Sequence, residues 1–128
     1  MTSLTRAILE AAQGEPTFPE PCVAVRSYRF EPEFLGFSGH FPGYPVLPAL
    51  VQVLAAVAVA EALLGRPLAL ETLENAKFHL PIDPGTEVSV RCQEREAAGR
   101  RWVEAHVAVP RGLASSFRLT FAGEAGAP

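Results

Sequence analysis

The hydrophobic pattern of this chain changes period once, at about residue 70. Upstream lies a block in which every residue from Pro48 to Leu64 is apolar except Gln52 and Glu61. A block of seventeen residues is too long for one strand, and the spacing of its fifteen apolar positions favours no face, so it predicts a helix wrapped by other structure. Pro48 fits the first helical position, and Gly65, Arg66 and Pro67 supply the stop. At 1.5 Å per residue the helix is roughly 25 Å long, shorter than the ~20 apolar residues of a membrane span. Ahead of it, Leu4, Ile8, Ala11 and Ala12 fall at helical spacing and predict a short peripheral helix over Leu4–Ala12. The segment Gly14–Pro21, rich in proline and glycine, reads as a loop. Cys22–Phe30, with its β-branched and aromatic residues, reads as a strand, and Glu31–Gly39 leads from it towards the long helix.

Downstream the period is two. In Thr72–Ile82, Ala76, Phe78, Leu80 and Ile82 alternate with Asn75, Lys77, His79 and Pro81. In Glu87–Gln93, Val88, Val90 and Cys92 share one side. In Trp102–Val109 the same holds for Val103, Ala105, Val107 and Val109, and in a fourth strand for Leu113, Phe117, Leu119 and Phe121. Asp83-Pro84-Gly85, Ala97-Ala98-Gly99 and Pro110-Arg111-Gly112 are the connecting turns. These are half-buried antiparallel strands. A sheet with one apolar face and a helix apolar all round bury each other when the sheet curls about the helix, an α+β architecture in the order strand, helix, four strands. Residues Gly123–Pro128 read as a frayed tail. One curled sheet does not cover such a helix completely, so a second copy of the chain is expected to cover the rest.

Length and charge narrow the picture. The 128 residues predict one domain, 1–128, with a core that needs no metal or disulfide staple. Cys22 and Cys92 have neither metal-ligand nor redox-pair spacing and read as reduced, buried or half-buried thiols. Arg6 and Glu10 interrupt the N-terminal segment before any secretory apolar run develops, so the expected location is the cytoplasm. A net charge of −3 argues against a nucleic-acid surface.

The chemistry concentrates just before the long helix. His40 stands between Gly39 and Phe41 in a loop stiffened by Pro42, Pro45 and Pro48. A histidine held there can serve as a base near neutral pH, with the free N–H groups of the first helical turn stabilising an oxyanion. It can equally cap a turn, and the residues alone leave both readings open. His79 and His106 fall on polar strand faces and read as solvated.

The run Gly39-His40-Phe41-Pro42-Gly43-Tyr44-Pro45-Val46-Leu47-Pro48 resembles the signature of the hotdog-fold 3-hydroxyacyl-[acyl-carrier-protein] dehydratases of fatty acid synthesis. Ala76-Lys77-Phe78-His79-Leu80-Pro81-Ile82 with Pro84-Gly85 resembles the strand and turn that follow the helix in that family. The resemblance spans about Cys22 to Phe121, and Pro48-Ala49-Leu50-Val51-Gln52 is most similar to the dehydratases of aryl-polyene pathways. It implies loss of water from a (3R)-3-hydroxyacyl thioester on a phosphopantetheine arm, giving the trans-2-enoyl product. His40 would be the base, the N–H of Ala49 would hold the thioester carbonyl, and the carbonyl of Val46 would orient the imidazole. Gly43 and Leu54 complete the substrate-binding positions. No metal or nucleotide is implied. The implied partner is an acyl carrier protein, to which Arg66, Arg95, Arg100 and Arg101 offer a basic surface or merely a solvated hairpin. The assembly implied is a homodimer or higher oligomer with the site at the interface, or a hetero-oligomer with a related dehydratase.

Two positions depart from the family pattern. Ala49 replaces a glycine. Leu54, fourteen positions past the histidine, replaces the Glu or Asp that protonates the departing hydroxyl. Glu61 lies on nearly the same helical face but roughly 10 Å further along the axis, and Gln52 lies about 200° round the helix from position 54. Glu31 and Glu33 read as solvated surface charge. The expectations are therefore a dehydratase in which His40 works without the helix acid, a weak or inactive acyl-binding subunit whose partner supplies it, or an acyl thioesterase on the same fold. Alanines 55, 56, 58, 60 and 62 leave room for an acyl tunnel or for close packing.

Overall fold

A computed structural model describes residues 3–37 and 46–123. Its elements are α1 (Ser3–Glu10), β1 (Ala12–Glu20), β2 (Val23–Arg29), a 3-10 turn (Leu35–Phe37), α2 (Ala49–Leu64), β3 (Leu70–Phe78), β4 (Glu87–Ala97), β5 (Arg100–Val109) and β6 (Gly112–Phe121). The six strands form one antiparallel sheet in the order β1-β2-β4-β5-β6-β3, and α2 packs chiefly on β4 and β2. Past Gly123 the expected tail lies outside the described residues.

The long helix begins one residue later than predicted. Pro48 is its N-cap at φ −62° and ψ 152°, so the helix starts at Ala49, and Gly65 closes it in the left-handed region at φ 72°. There its N–H meets the carbonyl of Glu61, an ending that glycine adopts without steric cost. Nor is α2 wrapped all round. Val51, Gln52, Val53, Ala55, Ala56, Val59 and Ala60 are buried, whereas Leu50 is 60% exposed and Leu54, Val57 and Glu61 are half-buried. Those last four recur at helical spacing and form one open stripe. Ala55, Ala56 and Ala60 are fully buried in the core, so at these positions small side chains serve close packing.

The loop expected over Gly14–Pro21 is instead the edge strand β1. It pairs with β2 through register shifts between Gln13 and Thr17 and between Thr17 and Glu20. Pro16 and Pro19 lack the N–H that a central strand must donate, and only an edge tolerates them. Arg26 Nε donates to the Gly14 carbonyl at 2.9 Å, reinforcing the irregular stretch from its neighbour. Two further expectations shift. β3 ends at Phe78 rather than Ile82, because the N–H groups of His79 and Leu80 both turn onto the Ala114 carbonyl and Pro81 has none to give. On β6 the buried side comprises Ser115, Phe117, Leu119 and Phe121 while Leu113 is exposed, since a bulge between Val107 and Ala108 moves the register.

The inner sheet face otherwise follows the period-two pattern: Val88, Val90, Cys92, Val103, Ala105 and Val107 are buried. The Cys92 thiol donates to the Ala56 carbonyl at 3.3 Å, and burial pushes its pKa up to about 12. Cys22 is exposed rather than buried, because it sits in the turn between β1 and β2. Tyr28, fully buried and stacked on Phe30 at 5.7 Å, has a hydroxyl without a hydrogen-bond partner among the described residues. No described helix is long and apolar enough to cross a membrane.

Candidate active site at the head of helix α2

The first turn of any α-helix carries N–H groups with no partner inside the helix. In α2 the N–H groups of Val51 and Gln52 turn back to the Pro48 carbonyl, at 3.1 and 3.3 Å. Those of Ala49 and Leu50 have no acceptor among the described residues. Pro48 contributes no side-chain cap, so two donors and the positive end of the helix dipole stay open.

Of the two, Ala49 borders a cavity of about 270 Å³. One wall is Val46, Leu47, Ala49 and Gln52, and the other is residues 78–81, from the end of β3 to Pro81. The first wall is pinned by the Leu47 N–H, which donates to the Ile82 carbonyl at 2.8 Å, and the second by the bonds of His79 and Leu80 to Ala114. Gln52, 5% exposed, lies between them and is fixed at both ends of its amide. Its Nε2 donates to the Leu47 carbonyl at 3.3 Å, and its Oε1 accepts from Ser115 Oγ at 2.6 Å.

The structure thus places Val46 and Ala49 in the same wall. Leu54 is not in these walls: it is half-buried on the open stripe of α2 and packs against the core. His40 and Gly43 lie outside the described residues. Glu61 is occupied elsewhere, its Oε2 accepting the Leu68 N–H at 2.9 Å beyond the helix end. Glu31 and Glu33 are exposed and border a separate hollow with Glu10 and Arg29. Of the basic residues, Arg101 pairs with Glu94 and Arg100 lies 3.9 Å from Glu74, so acidic neighbours offset that hairpin's charge. Sequence reasoning set Gln52 aside as facing away from position 54. It does face away, and what it faces is the cavity; an uncharged polar residue in an otherwise apolar helix was the signal.

Comparison with known proteins identifies the fold and the family. Residues 20–110 match the model of the ApeI-like family, described as ApeI dehydratase. The chain belongs to the ApeI-like dehydratase family. Among related sequences, the 3-hydroxyacyl-[acyl-carrier-protein] dehydratase FabZ of Granulibacter bethesdensis is 35% identical over 75 residues, 52% of this chain and 44% of that one. The FabZ of Erythrobacter litoralis is 41% identical over 76 residues, 48% of this chain and 46% of that one. The chain therefore spans less than half the length of either relative. Among solved structures, a chain of the dehydratase heterocomplex ApeI:P from Xenorhabdus doucetiae superposes with a TM-score of 0.73 at 22% identity, covering 84% of this chain and 93% of that one. The PaaI protein of the Escherichia coli phenylacetic acid degradation operon gives 0.63 at 14% identity, covering 82% and 79%. At these identities the likeness concerns the fold, and this member of the ApeI-like family has the hotdog fold.

Proposed function

We propose that the protein dehydrates (3R)-3-hydroxyacyl thioesters carried on an acyl carrier protein to the trans-2-enoyl thioesters. His40 takes the α-proton, with Gly43 in its loop and the Val46 carbonyl orienting the imidazole. The electron pair left on the α-carbon moves into the thioester, whose oxygen is held by the N–H of Ala49. The pair then returns to form the Cα–Cβ double bond as the bond from the β-carbon to the hydroxyl breaks, and the proton taken up by His40 passes to the departing oxygen, which leaves as water. The observation that carries this reading is the head of α2: the N–H of Ala49, without an acceptor among the described residues, lies beside a largely apolar cavity, within the stretch matched to a dehydratase family. One such donor aimed at an oxyanion is typically worth about 10²- to 10³-fold in rate.

A second copy of the chain along β3 fits the surface left open. β3 is a sheet edge, and Leu70, Leu73 and Phe78, 41%, 44% and 46% exposed, pair in register with the buried Phe121, Leu119 and Ser115, on the face that otherwise forms the core. An unpaired edge carrying an apolar row invites strand addition. The open stripe of α2, which includes Leu54, would face that partner. This placement supports a second reading, in which a related subunit bearing a carboxylate completes the site and this chain is its weakly active or inactive companion.

Intact-protein mass spectrometry of a 3-hydroxyacyl carrier protein incubated with the protein tests the proposal. Loss of one water, abolished by His40→Ala in a folded variant, is the expected result. Turnover unchanged by His40→Ala removes the assignment of the base, and no water loss at any chain length leaves the subunit reading.

A further inference from the structure

The side-chain amide of Gln52 is the only polar side chain that α2 sends into the sheet, and both its ends are committed. It receives the Ser115 hydroxyl from β6 and donates to the Leu47 carbonyl in the segment that leads into its own helix. This reach backwards follows from helix geometry, since side chains lean towards the N-terminus. Both anchors bear on the cavity. Leu47 lies between Val46 and the N-cap, and its N–H is tied to Ile82. Ser115 follows Ala114, whose carbonyl holds the opposite wall through His79 and Leu80. A single buried amide therefore links the wall that carries Ala49 to the wall that faces it.

We infer that Gln52 is a positioning residue: by bridging Ser115 and the Leu47 carbonyl it sets the gap between the cavity walls and the aim of the Ala49 N–H at the thioester oxygen. This rests on the dehydratase reading above. Burial gives the bridge its force, because an unpaired amide or hydroxyl in that position loses its water without replacement. A purely packing role needs no amide at this position, and a leucine or methionine would fill it. The expected consequence of losing the bridge is kinetic, since an error of about 1 Å in a reacting geometry costs up to about 10²-fold.

The test compares Gln52→Leu, Ser115→Ala and the double variant with the wild type, using the carrier-protein dehydration assay and the folded fraction by circular dichroism. Gln52→Leu is expected to lower kcat per folded site by about 10- to 100-fold with KM within about threefold, the signature of an interaction that acts in the transition state. Ser115→Ala, which removes one hydroxyl and keeps the fold even if Gln52→Leu does not, should give a smaller loss of the same kind. The double variant should be no worse than Gln52→Leu by more than about twofold, because both substitutions break one bridge. An active wild type whose variants keep kcat within about twofold per folded site, or whose losses multiply fully in the double variant, overturns the role of Gln52 alone. A wild type that releases no water from any substrate overturns the dehydratase reading and the role of Gln52 with it.

Discussion

Position 54 is where a single side chain separates the functional readings. A leucine there is half-buried and packs against the core, at the place where the resemblance expects a proton donor. A missing general acid typically costs about 10²- to 10⁴-fold. Leu54→Glu, on a stripe with room for a polar head, should therefore raise the dehydration rate by at least tenfold if the remaining geometry is competent; a folded but inert Leu54→Glu protein indicates a site completed by a partner. Tyr28 illustrates the opposite case, a polar atom with nothing to do. Its hydroxyl is buried and has no hydrogen-bond partner among the described residues, so Tyr28→Phe should leave the fold intact and raise the unfolding free energy by about 1 kcal/mol, read from the denaturant midpoint. A destabilised Tyr28→Phe protein would mean that the hydroxyl is satisfied in solution.

Among the elements, α2 and β3 each leave an apolar row open, which is the surface the proposed second copy would cover. Leu50, Leu54 and Val57 run along one side of the helix, while Leu70, Leu73 and Phe78 run along the inner side of an edge strand. Leu73→Lys places a charge in the middle of that row without touching the buried core. The variant should sediment as a monomer where the wild type sediments as a dimer, and should lose dehydration in proportion; an unchanged sedimentation coefficient excludes β3 as the interface. The strands that were plain in the sequence, β4 and β5, alternate without a break because helix and solvent lie on opposite sides of them. β1 was hidden by its own composition. It owes its place to pairing with β2, and an edge strand needs only half of its hydrogen-bonding groups satisfied, so Pro16 and Pro19 do not exclude it.

For the molecule as a whole, two buried acids among the described residues should weaken the fold at alkaline pH. Burial raises Cys92 from its usual 9.0 to about 12 and, foremost among several influences, raises Tyr28 from 10.0 to about 12. Both are neutral in the fold over a range where the unfolded chain has already released their protons. Their contribution is complete below pH 9 and is lost as pH climbs from there to about 12, with a slope of about 1.4 kcal/mol per pH unit for each group titrating only in the unfolded chain. Cys92→Ala should flatten the part of this decline that begins near pH 9, and Tyr28→Phe the part that begins near 10, as measured by denaturant titrations across that range. What the sequence determined by itself was whatever depends on local spacing: the core helix and its glycine stop, and the alternation of the later strands; the run Gly39–Pro48 pointed to a dehydratase only through its resemblance to a known family. Tertiary structure decided what depends on a partner from elsewhere in the chain. The edge strand β1 forms because β2 is there to receive it. The register shift between β5 and β6 turns Leu113 away from the side that Ser115 and Phe117 share. Gln52 bridges the cavity because Ser115, 63 positions away, meets its amide. A pattern along one segment records which face is buried, and only the folded chain records what that face meets.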